Sequence, residues 1–365
     1  MSLSKEEFIR YSRQLVIPGV GPEGQEKLMS AKVAVIGAGG LGSLVLGYLA
    51  GAGVGEIGVF DSGAVELSNL HRQLTYGTSD IGKLKTALVR QRLLEINGGI
   101  KVNAHEGLLT RENIKAAIER YDYIADCTDN FITRAAINRA CLELKKTYVH
   151  GAVYQFEGQL AVFEPHSGPC LGCLAPGAEN QENQACAEAG VMGPAAGAVA
   201  SMQALEILKL ILGLETLKGK FAMLDFRLSD FNVIELKKRP DCPACGSKAQ
   251  LETRFAGAIS LAMITPEELK TRLDSGTPPR LLDLRYGWEH DLVHIPGDAW
   301  TDFEELIKTG AGFGPEEELV LYCKGQSKSA AACRALRKKG FRKVFVLKGG
   351  IDAWAEKADK RMLRY

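Results

Sequence analysis

Apolar runs of strand length recur through the first half of the chain, each followed by a helix-length segment. Lys32-Val-Ala-Val-Ile36 has the pattern of a strand buried on both faces, and it runs into Gly37-Ala-Gly-Gly-Leu-Gly42 and an apolar helix over 42–52. Glu56–Phe60 predicts the next strand, ending at Asp61. A helix over Lys83–Asn97, a short strand at Val102–Glu106, a helix over Arg111–Arg120 and a strand end at Tyr123–Asp126 follow. This alternation predicts an α/β fold with a doubly wound, Rossmann-like parallel sheet. Residues 4–30 are polar and helix-forming, with a break at Pro18-Gly19; 147–163 carry two further strands, 194–212 a strong helix, and FAMLDF and FNVIEL two strands more. Between them, 164–192 is rich in Gly, Pro, Asn and Cys and predicts a long loop, a feature usually tied to function.

The pattern restarts after Lys248. Residues 249–262 form a linker, and Thr265-Pro-Glu-Glu268 opens a new helix with an N-cap threonine, proline at the first helical position and acids in the first turn. Strands at Arg280–Leu284, Glu318–Tyr322 and Lys343–Leu347, with helices between, predict a second, smaller α/β domain. The expected organisation is therefore 1–248, a linker over 249–262, and 263–365. A length of 365 residues, with 46% apolar residues, suits two packed cores.

Charge changes the picture little. Forty-five basic against 44 acidic residues leave +1 at pH 7, so no excess points to nucleic acid or an anionic membrane. The N-terminal stretch is polar, and no run of about 18 apolar residues stands out as a membrane span, so the expectation is a cytoplasmic protein. Nine cysteines, an odd number, argue against a disulfide framework. Four of them form Cys170-Leu-Gly-Cys173 and Cys242-Pro-Ala-Cys245, about 70 residues apart. Four thiolates at this spacing make a closed, structural Zn²⁺ site, which would tie the long loop to the end of the first domain; redox pairs or buried thiols are the alternatives. Cys141 and Cys333 fall in helical patterns and are expected in the core. Cys127, at a strand end, is expected in packing, and Cys186 by itself is an ordinary loop thiol.

Gly37, Gly39, Gly40 and Gly42 lie between a strand and a helix, and Asp61 ends the next strand. Such glycines let the backbone approach phosphate at a helix N-terminus, and the acid can bind ribose. NAD, FAD and ATP all fit this much. Asn69-Leu-His-Arg-Gln73, Lys85 and Asp126-Cys-Thr-Asp-Asn130 shift the balance, because two cations and a carboxylate suit a triphosphate with Mg²⁺ better than a nicotinamide.

These segments, with Arg10–Gln14, the paired CxxC motifs and Cys186-Ala-Glu-Ala-Gly-Val-Met-Gly-Pro194, resemble the ubiquitin-activating-like adenylyltransferases. The resemblance is greatest to bacterial enzymes that activate ubiquitin-like sulfur carriers for molybdopterin and thiamine synthesis. It covers about 245 residues. It implies that Asp61 binds ribose, Arg72 and Lys85 bind phosphates, and Asp129 holds Mg²⁺. It also implies a homodimer in which Arg13 reaches the partner subunit's ATP site, and it makes Cys186 a candidate for a thioester or acyl disulfide with the carrier.

The last 100 or so residues resemble the rhodanese homology domain through Leu281–Arg285, Trp288-Glu289, His294–Gly297, Val320–Cys323 with Lys324–Ser329, and Lys348–Trp354. A cysteine ending a strand and entering a helix through a tight loop sits near backbone N–H groups, which favours a thiolate or persulfide at Cys323. The rhodanese loop commonly has arginine after the cysteine and glycine two positions later, where this chain has Lys324 and Gln326, with glycine at 325. Together the two resemblances imply an enzyme, an adenylyltransferase and sulfurtransferase. It would adenylate the C-terminal glycine of a ubiquitin-like sulfur carrier with ATP, then form a thiocarboxylate with sulfur from a persulfide donor such as a cysteine desulfurase or a small sulfur compound. An adenylyltransferase with an inactive rhodanese-like docking domain is the alternative.

Overall fold

The computed structural model describes residues 3–175, 190–246, 261–276 and 278–365. The chain divides into two compact units, with the described residues up to 246 in the first and those from 261 onward in the second.

The first unit is built on an eight-stranded sheet. Its strands are β1 (Lys32–Ile36), β2 (Glu56–Asp61), β3 (Lys101–Glu106), β4 (Tyr123–Asp126), β5 (Thr147–Tyr154), β6 (Glu157–Phe163), β7 (Lys220–Asp225) and β8 (Asp230–Glu235), in spatial order β3-β2-β1-β4-β5-β6-β7-β8. The sequence pattern predicts a parallel sheet, and β3 to β5 are parallel, joined through crossover helices. The remainder is antiparallel: β5 turns back into β6 through a two-residue connection too short for a parallel crossover, and β7 and β8 continue the meander. The sheet is thus mixed.

The helices of this unit are α1 (Lys5–Leu15), α2 (Gly21–Ser30), α3 (Gly42–Ala52), α4 (Lys85–Ile96), α5 (Ile114–Ile118), α6 (Phe131–Leu144), α7 (Leu171–Leu174) and α8 (Gly193–Leu212). Ser4 and Glu7 form a capping box that starts α1. Helix α6 forms over 131–144, where the sequence pattern predicts no element; the Asn130 side chain caps it by accepting from the Thr133 N–H at 2.9 Å. The apolar α8 is long enough to cross a bilayer by length and composition. Here it packs on α3, β5 and β6, and Val199, Ala200, Ala204 and Ile207 join the main core with Val33, Val35 and Leu49. Gln203, wholly buried in α8, donates from Nε2 to the carbonyls of Asp126 (2.8 Å) and Val149 (2.9 Å).

The second unit has a five-stranded parallel sheet in the order β11-β10-β12-β13-β9: β9 (Met263–Ile264), β10 (Arg280–Asp283), β11 (Ala299–Trp300), β12 (Leu319–Tyr322) and β13 (Val344–Leu347). Its helices are α9 (Pro266–Asp274), α10 (Gly287–Leu292), α11 (Phe303–Thr309), α12 (Ser327–Lys338) and α13 (Gly350–Lys357). Thr265 and Glu268 form the capping box expected at the start of α9. Leu261 and Ala262, assigned to the linker on sequence, belong to this unit. Leu261 is buried in its core and the Ala262 carbonyl accepts from the Val346 N–H at 2.9 Å. The rest of the linker lies outside the described residues.

Candidate functional site

The glycine loop leaves β1 at the carboxyl edge of the sheet, beside the switch point where the strand order reverses between β1 and β4. Gly37 has φ +94°, and a Cβ there would stand 2.7 Å from the Cys127 carbonyl oxygen. A Cβ on Gly42 would stand 1.7 Å from the Gly37 carbonyl oxygen. These two positions require glycine, since the loop folds against itself and against the end of β4. Gly39 and Gly40 are less confined. A Cβ on Gly40 would meet the Arg72 side chain at 3.4 Å, so Arg72 lies over the loop.

Asp61, at the end of β2, accepts from the Ala38 N–H and the Gly63 N–H, both at 2.7 Å. A carboxylate offers about four lone-pair sites, so capacity for a further donor remains. Arg72 Nη1 donates to the Ser68 carbonyl at 2.8 Å and lies 2.8 Å from His71 Nε2. Burial, and then the Arg72 charge, lower the His71 pKa, so that this ring acts as a neutral acceptor. Asn69 is buried in a 3₁₀ turn and its Oδ1 accepts from the Glu66 N–H at 3.3 Å, so it shapes the segment carrying Arg72. Lys85 opens α4, and its Nζ lies 3.4 Å from the point a Cβ on Gly63 would occupy, on the Asp61 side of the cleft. Asp129 is exposed in the loop after β4, on the same sheet edge. Arg13 is exposed on α1.

Sequence reasoning missed the supports beneath these groups. The buried Tyr76 hydroxyl donates to the Ala38 carbonyl at 2.8 Å and so fixes the glycine loop from below. Asp126 is wholly buried, 2.9 Å from His150 Nδ1, with its Oδ1 accepting from the Thr128 hydroxyl at 2.7 Å. Burial alone would raise the Asp126 pKa; the His150 hydrogen bond and charge, with Arg134 and Thr128, outweigh it and lower it. Arg134 donates to the Thr128 carbonyl at 2.6 Å, so the loop bearing Asp129 hangs from a buried polar network. Only the tyrosine three residues past Gln73 and the lone histidine inside β5 hinted at this in the sequence. Cys127 and Cys141 are buried, with thiol pKa values raised by burial, as packing residues should be.

Cys170, Cys173, Cys242 and Cys245 converge at the start of α7 and the segment after β8. Cys170 Sγ lies 3.7 Å from Cys242 Sγ and Cys173 Sγ 3.5 Å from Cys245 Sγ, and all four sulfurs lie within 4.8 Å of one another. Zn–S bonds of about 2.3 Å in a tetrahedron set sulfurs about 3.8 Å apart, so the donor set fits Zn²⁺ with no position left open. Burial and then the Cys242 charge push the Cys170 thiol up to about 12. At Cys173 burial would raise the pKa; the Arg239 N–H, donating to Sγ at 3.4 Å, and hydrogen bonds from the other three cysteines together outweigh it and lower the pKa. A divalent cation bound among them would hold all four as thiolates. Cys186 lies outside the described residues.

In the second unit Cys323 directly follows the central strand β12 and is 1% exposed. Its Sγ is 3.5 Å from the Ser329 hydroxyl, which donates to the Gln326 carbonyl at 3.0 Å. The carbonyls of Cys323 and Lys324 accept from Ile351 and Asp352 N–H at 3.0 and 3.2 Å, the first turn of α13. A Cβ on Gly350 would sit between 2.1 and 2.4 Å from the carbonyl oxygens of Gly325, Cys323 and Lys324, and Gly349 and Gly350 both have positive φ. The loop is thus clamped from outside by a glycine pair. Gln326, where glycine is common, uses its Oε1 to accept from the Gly349 N–H at 3.2 Å. The ammonium groups of Lys324 and Lys328 lie 4.3 and 4.0 Å from the ring centroids of Tyr365 and Tyr286.

Comparison with known proteins bears on both units. Residues 11–244 match the ThiF family and residues 265–357 the rhodanese-like domain. A Mycobacterium tuberculosis protein described as a probable adenylyltransferase/sulfurtransferase, MoeZ, is 40% identical over all of this chain and 97% of its own. The Xenopus laevis adenylyltransferase and sulfurtransferase MOCS3 is 36% identical over the whole chain and 89% of that protein. The sulfur carrier protein adenylyltransferase of Thermus thermophilus is 44% identical over 68% of this chain and 94% of its own. Among solved structures, E. coli MccB with ATP superposes with a TM-score of 0.58 at 23% identity, covering 65% of this chain and 74% of that one, a likeness of fold alone. The chain therefore belongs to the ThiF family, with a rhodanese-like domain following the ThiF domain.

Proposed function

We propose that the chain is an enzyme of two coupled activities. Its first unit adenylates the C-terminal glycine of a ubiquitin-like sulfur carrier with ATP, and its second supplies the sulfur that converts the adenylate to a thiocarboxylate. One juxtaposition carries the reading: a glycine loop, Asp61, Arg72 and Lys85 meet an acidic loop at one sheet edge, in the same chain as a cysteine held at a rhodanese-type strand end.

In this reading Asp61 accepts from ribose hydroxyls, and Arg72 and Lys85 lie against the phosphates. The carrier carboxylate oxygen attacks the α-phosphorus and pyrophosphate leaves. Charge grows on the phosphate oxygens in that step, so fixed cations lower its barrier. Asp129, exposed beside the glycine loop, is the residue to hold Mg²⁺, which neutralises triphosphate charge when bound. The Cys323 persulfide then attacks the acyl carbon and AMP leaves, giving an acyl disulfide. A second thiol, for which Cys186 is the candidate, cleaves its S–S bond, releases the thiocarboxylate and forms a disulfide with Cys323 that a cellular dithiol reduces. Both activities lie in one chain, and tethering of this kind raises the effective concentration of the thiol toward about millimolar. Zn²⁺ at the four cysteines is structural. The cytoplasm, where thiols stay reduced, is the fitting compartment. The sulfur donor is a protein persulfide or a small sulfane compound, and molybdenum cofactor and thiamine synthesis are the pathways in view.

A homodimer completes the reading. Arg13 is exposed on α1, and Ile9, Val16 and Ile17 beside it are exposed too, an apolar surface that a second copy would cover. Asp129→Ala should lower carrier-dependent ATP–pyrophosphate exchange by about 10²-fold or more. Mixing it with Arg13→Ala should restore part of the exchange through hybrid dimers. Undiminished exchange in Asp129→Ala would remove the site assignment; absence of rescue in subunits shown to exchange would remove the role of Arg13 in trans.

A further inference from the structure

Lys324 follows the sulfur-carrying cysteine directly and stands where rhodanese loops commonly have arginine. Its ammonium lies 4.3 Å from the Tyr365 ring centroid and donates to the Tyr365 backbone oxygen. Tyr365 is itself held from three sides. Its hydroxyl accepts from Arg285 Nη1 and donates to Glu289 Oε1, each at 2.7 Å, and the Trp288 ring meets its ring edge-on with centroids 6.1 Å apart. These partners are fixed in turn. Arg285 is buried and forks onto Asp283 at the end of β10 while donating to the Val293 carbonyl at 2.7 Å. Glu289 is buried in α10, with its other oxygen accepting from the Tyr286 N–H at 3.0 Å. Burial and the Glu289 acceptor hold the Tyr365 hydroxyl above its usual pKa, so it stays neutral and donating through physiological pH.

We propose that Tyr365 is a positioning residue for sulfur transfer at Cys323: its ring and backbone oxygen fix the Lys324 ammonium at the mouth of the persulfide loop, where it receives anionic sulfur donors. The proposal rests on Cys323 being the sulfur carrier. Arginine in that place has a planar, preset guanidinium, whereas lysine is a hydrated point charge on a four-carbon chain with many rotamers. A ring face and an acceptor restore to lysine the direction that arginine has by its own geometry. Lys328, in the first turn of α12, likewise has its ammonium over a ring, 4.0 Å from the Tyr286 centroid.

The test uses the full chain with thiosulfate as donor and cyanide as acceptor. The Cys323 thiolate takes the outer sulfur as sulfite leaves, and cyanide then removes that sulfur as thiocyanate. Tyr365→Ala should raise KM for thiosulfate about tenfold with kcat changed by less than about twofold. Lys324→Ala should do the same, and the double variant should be no worse, since the two act as one unit. Tyr365→Phe, which keeps the ring and backbone oxygen, should fall between wild type and Tyr365→Ala. A second readout needs no sulfur transfer: the alkylation rate of Cys323 by anionic iodoacetate relative to neutral iodoacetamide, followed by peptide mass. That ratio should fall several-fold in Tyr365→Ala and Lys324→Ala, and lie between in Tyr365→Phe should the alanine variant misfold. An unchanged KM and ratio, or additive effects in the double variant, would overturn the proposal. A raised ratio would overturn it too, for Tyr365 would then mask Lys324 rather than present it. If Cys323→Ala retained thiosulfate turnover, the failure would lie with the sulfur-carrier reading, and the alkylation ratio would still decide whether Tyr365 governs Lys324.

Discussion

The glycine loop after β1 and the Cys323 loop after β12 are the same construction, a tight turn from the carboxyl end of a parallel strand into a helix, but they are closed in opposite ways. The first is closed from within. Gly37 and Gly42 belong to the loop, and a Cβ on Gly42 would strike the loop's own Gly37 carbonyl at 1.7 Å. The second is closed from outside, by Gly350, whose backbone lies against the carbonyls of Cys323, Lys324 and Gly325, and by Gly349, whose N–H donates to the Gln326 side chain. A loop closed by its own residues announces itself as a motif, while a loop closed by a distant glycine pair leaves its own residues free to vary. That freedom explains how Lys324 and Gln326 can stand where arginine and glycine are common: the Gln326 side chain is taken up by the Gly349 N–H and the Lys324 side chain by Tyr365.

The largest expected effects break this comparison at its two glycines. Gly42→Ala should cost about 3 kcal/mol or more locally and abolish ATP–pyrophosphate exchange, while thiosulfate sulfurtransfer persists. Gly350→Ala, at φ +61° and against three carbonyls, should do the reverse. Both activities are measured on each purified variant. Loss of both in either variant would mean that the two loops do not act independently.

How much of this was legible from residues alone follows the same division. The strand–GxGxxG–helix segment, Asp61 and the four cysteines are local in sequence or paired by a fixed spacing, and the structure places them at one sheet edge and in one cluster. Gln203 and Arg134 were not legible as supports, and Tyr76 and His150 were little more than hints, because each acts through a contact made only after the sheet has formed. The antiparallel half of the sheet was missed for a similar reason. The apolar pattern of β5 and β6 predicts strands without direction, and only the two-residue connection at 155–156 decides it. Helix α6 went unread because it has buried polar residues, Arg134 and Asn138, on its inward face, which blurs the apolar period. Tyr365 carries no motif at all.

The cysteine cluster sharpens the comparison from another side, since it braces the first unit only. Metal analysis should find one zinc per chain. Cys242→Ala, or prolonged chelation, should lower the melting temperature of that unit by roughly 5–10 °C, the shift for about 3 kcal/mol in a domain of this size. The sulfurtransferase rate at 25 °C should not change. Protein never exposed to chelator and yet free of zinc would contradict the assignment.

A smaller effect belongs to the second unit. Arg272 grips Glu318 through two bonds of 2.8 and 2.7 Å, and both side chains are about a third exposed. The Arg272 hydrogen bonds lower the Glu318 pKa against a small burial penalty. A lowered carboxyl pKa gives stability that is fully present above the unfolded value of about 4.3 and is lost as pH falls through the folded value. Glu318→Gln should cost about 0.5 kcal/mol at pH 7 after allowance for solvent screening. Urea midpoints of wild type and variant should converge in acid near pH 3; a gap that stayed constant with pH would assign the effect to packing.

The central claim is that the two loops serve one reaction, and the mass of the carrier tests it most directly. With ATP, a ubiquitin-like carrier and a protein persulfide donor, wild-type enzyme should add about 16 Da to the carrier, sulfur replacing oxygen at its terminal carboxylate. Cys323→Ala should still support pyrophosphate exchange and should leave the carrier mass unchanged. Thiocarboxylate formed by Cys323→Ala at the wild-type rate would contradict the account and make the second unit a docking domain.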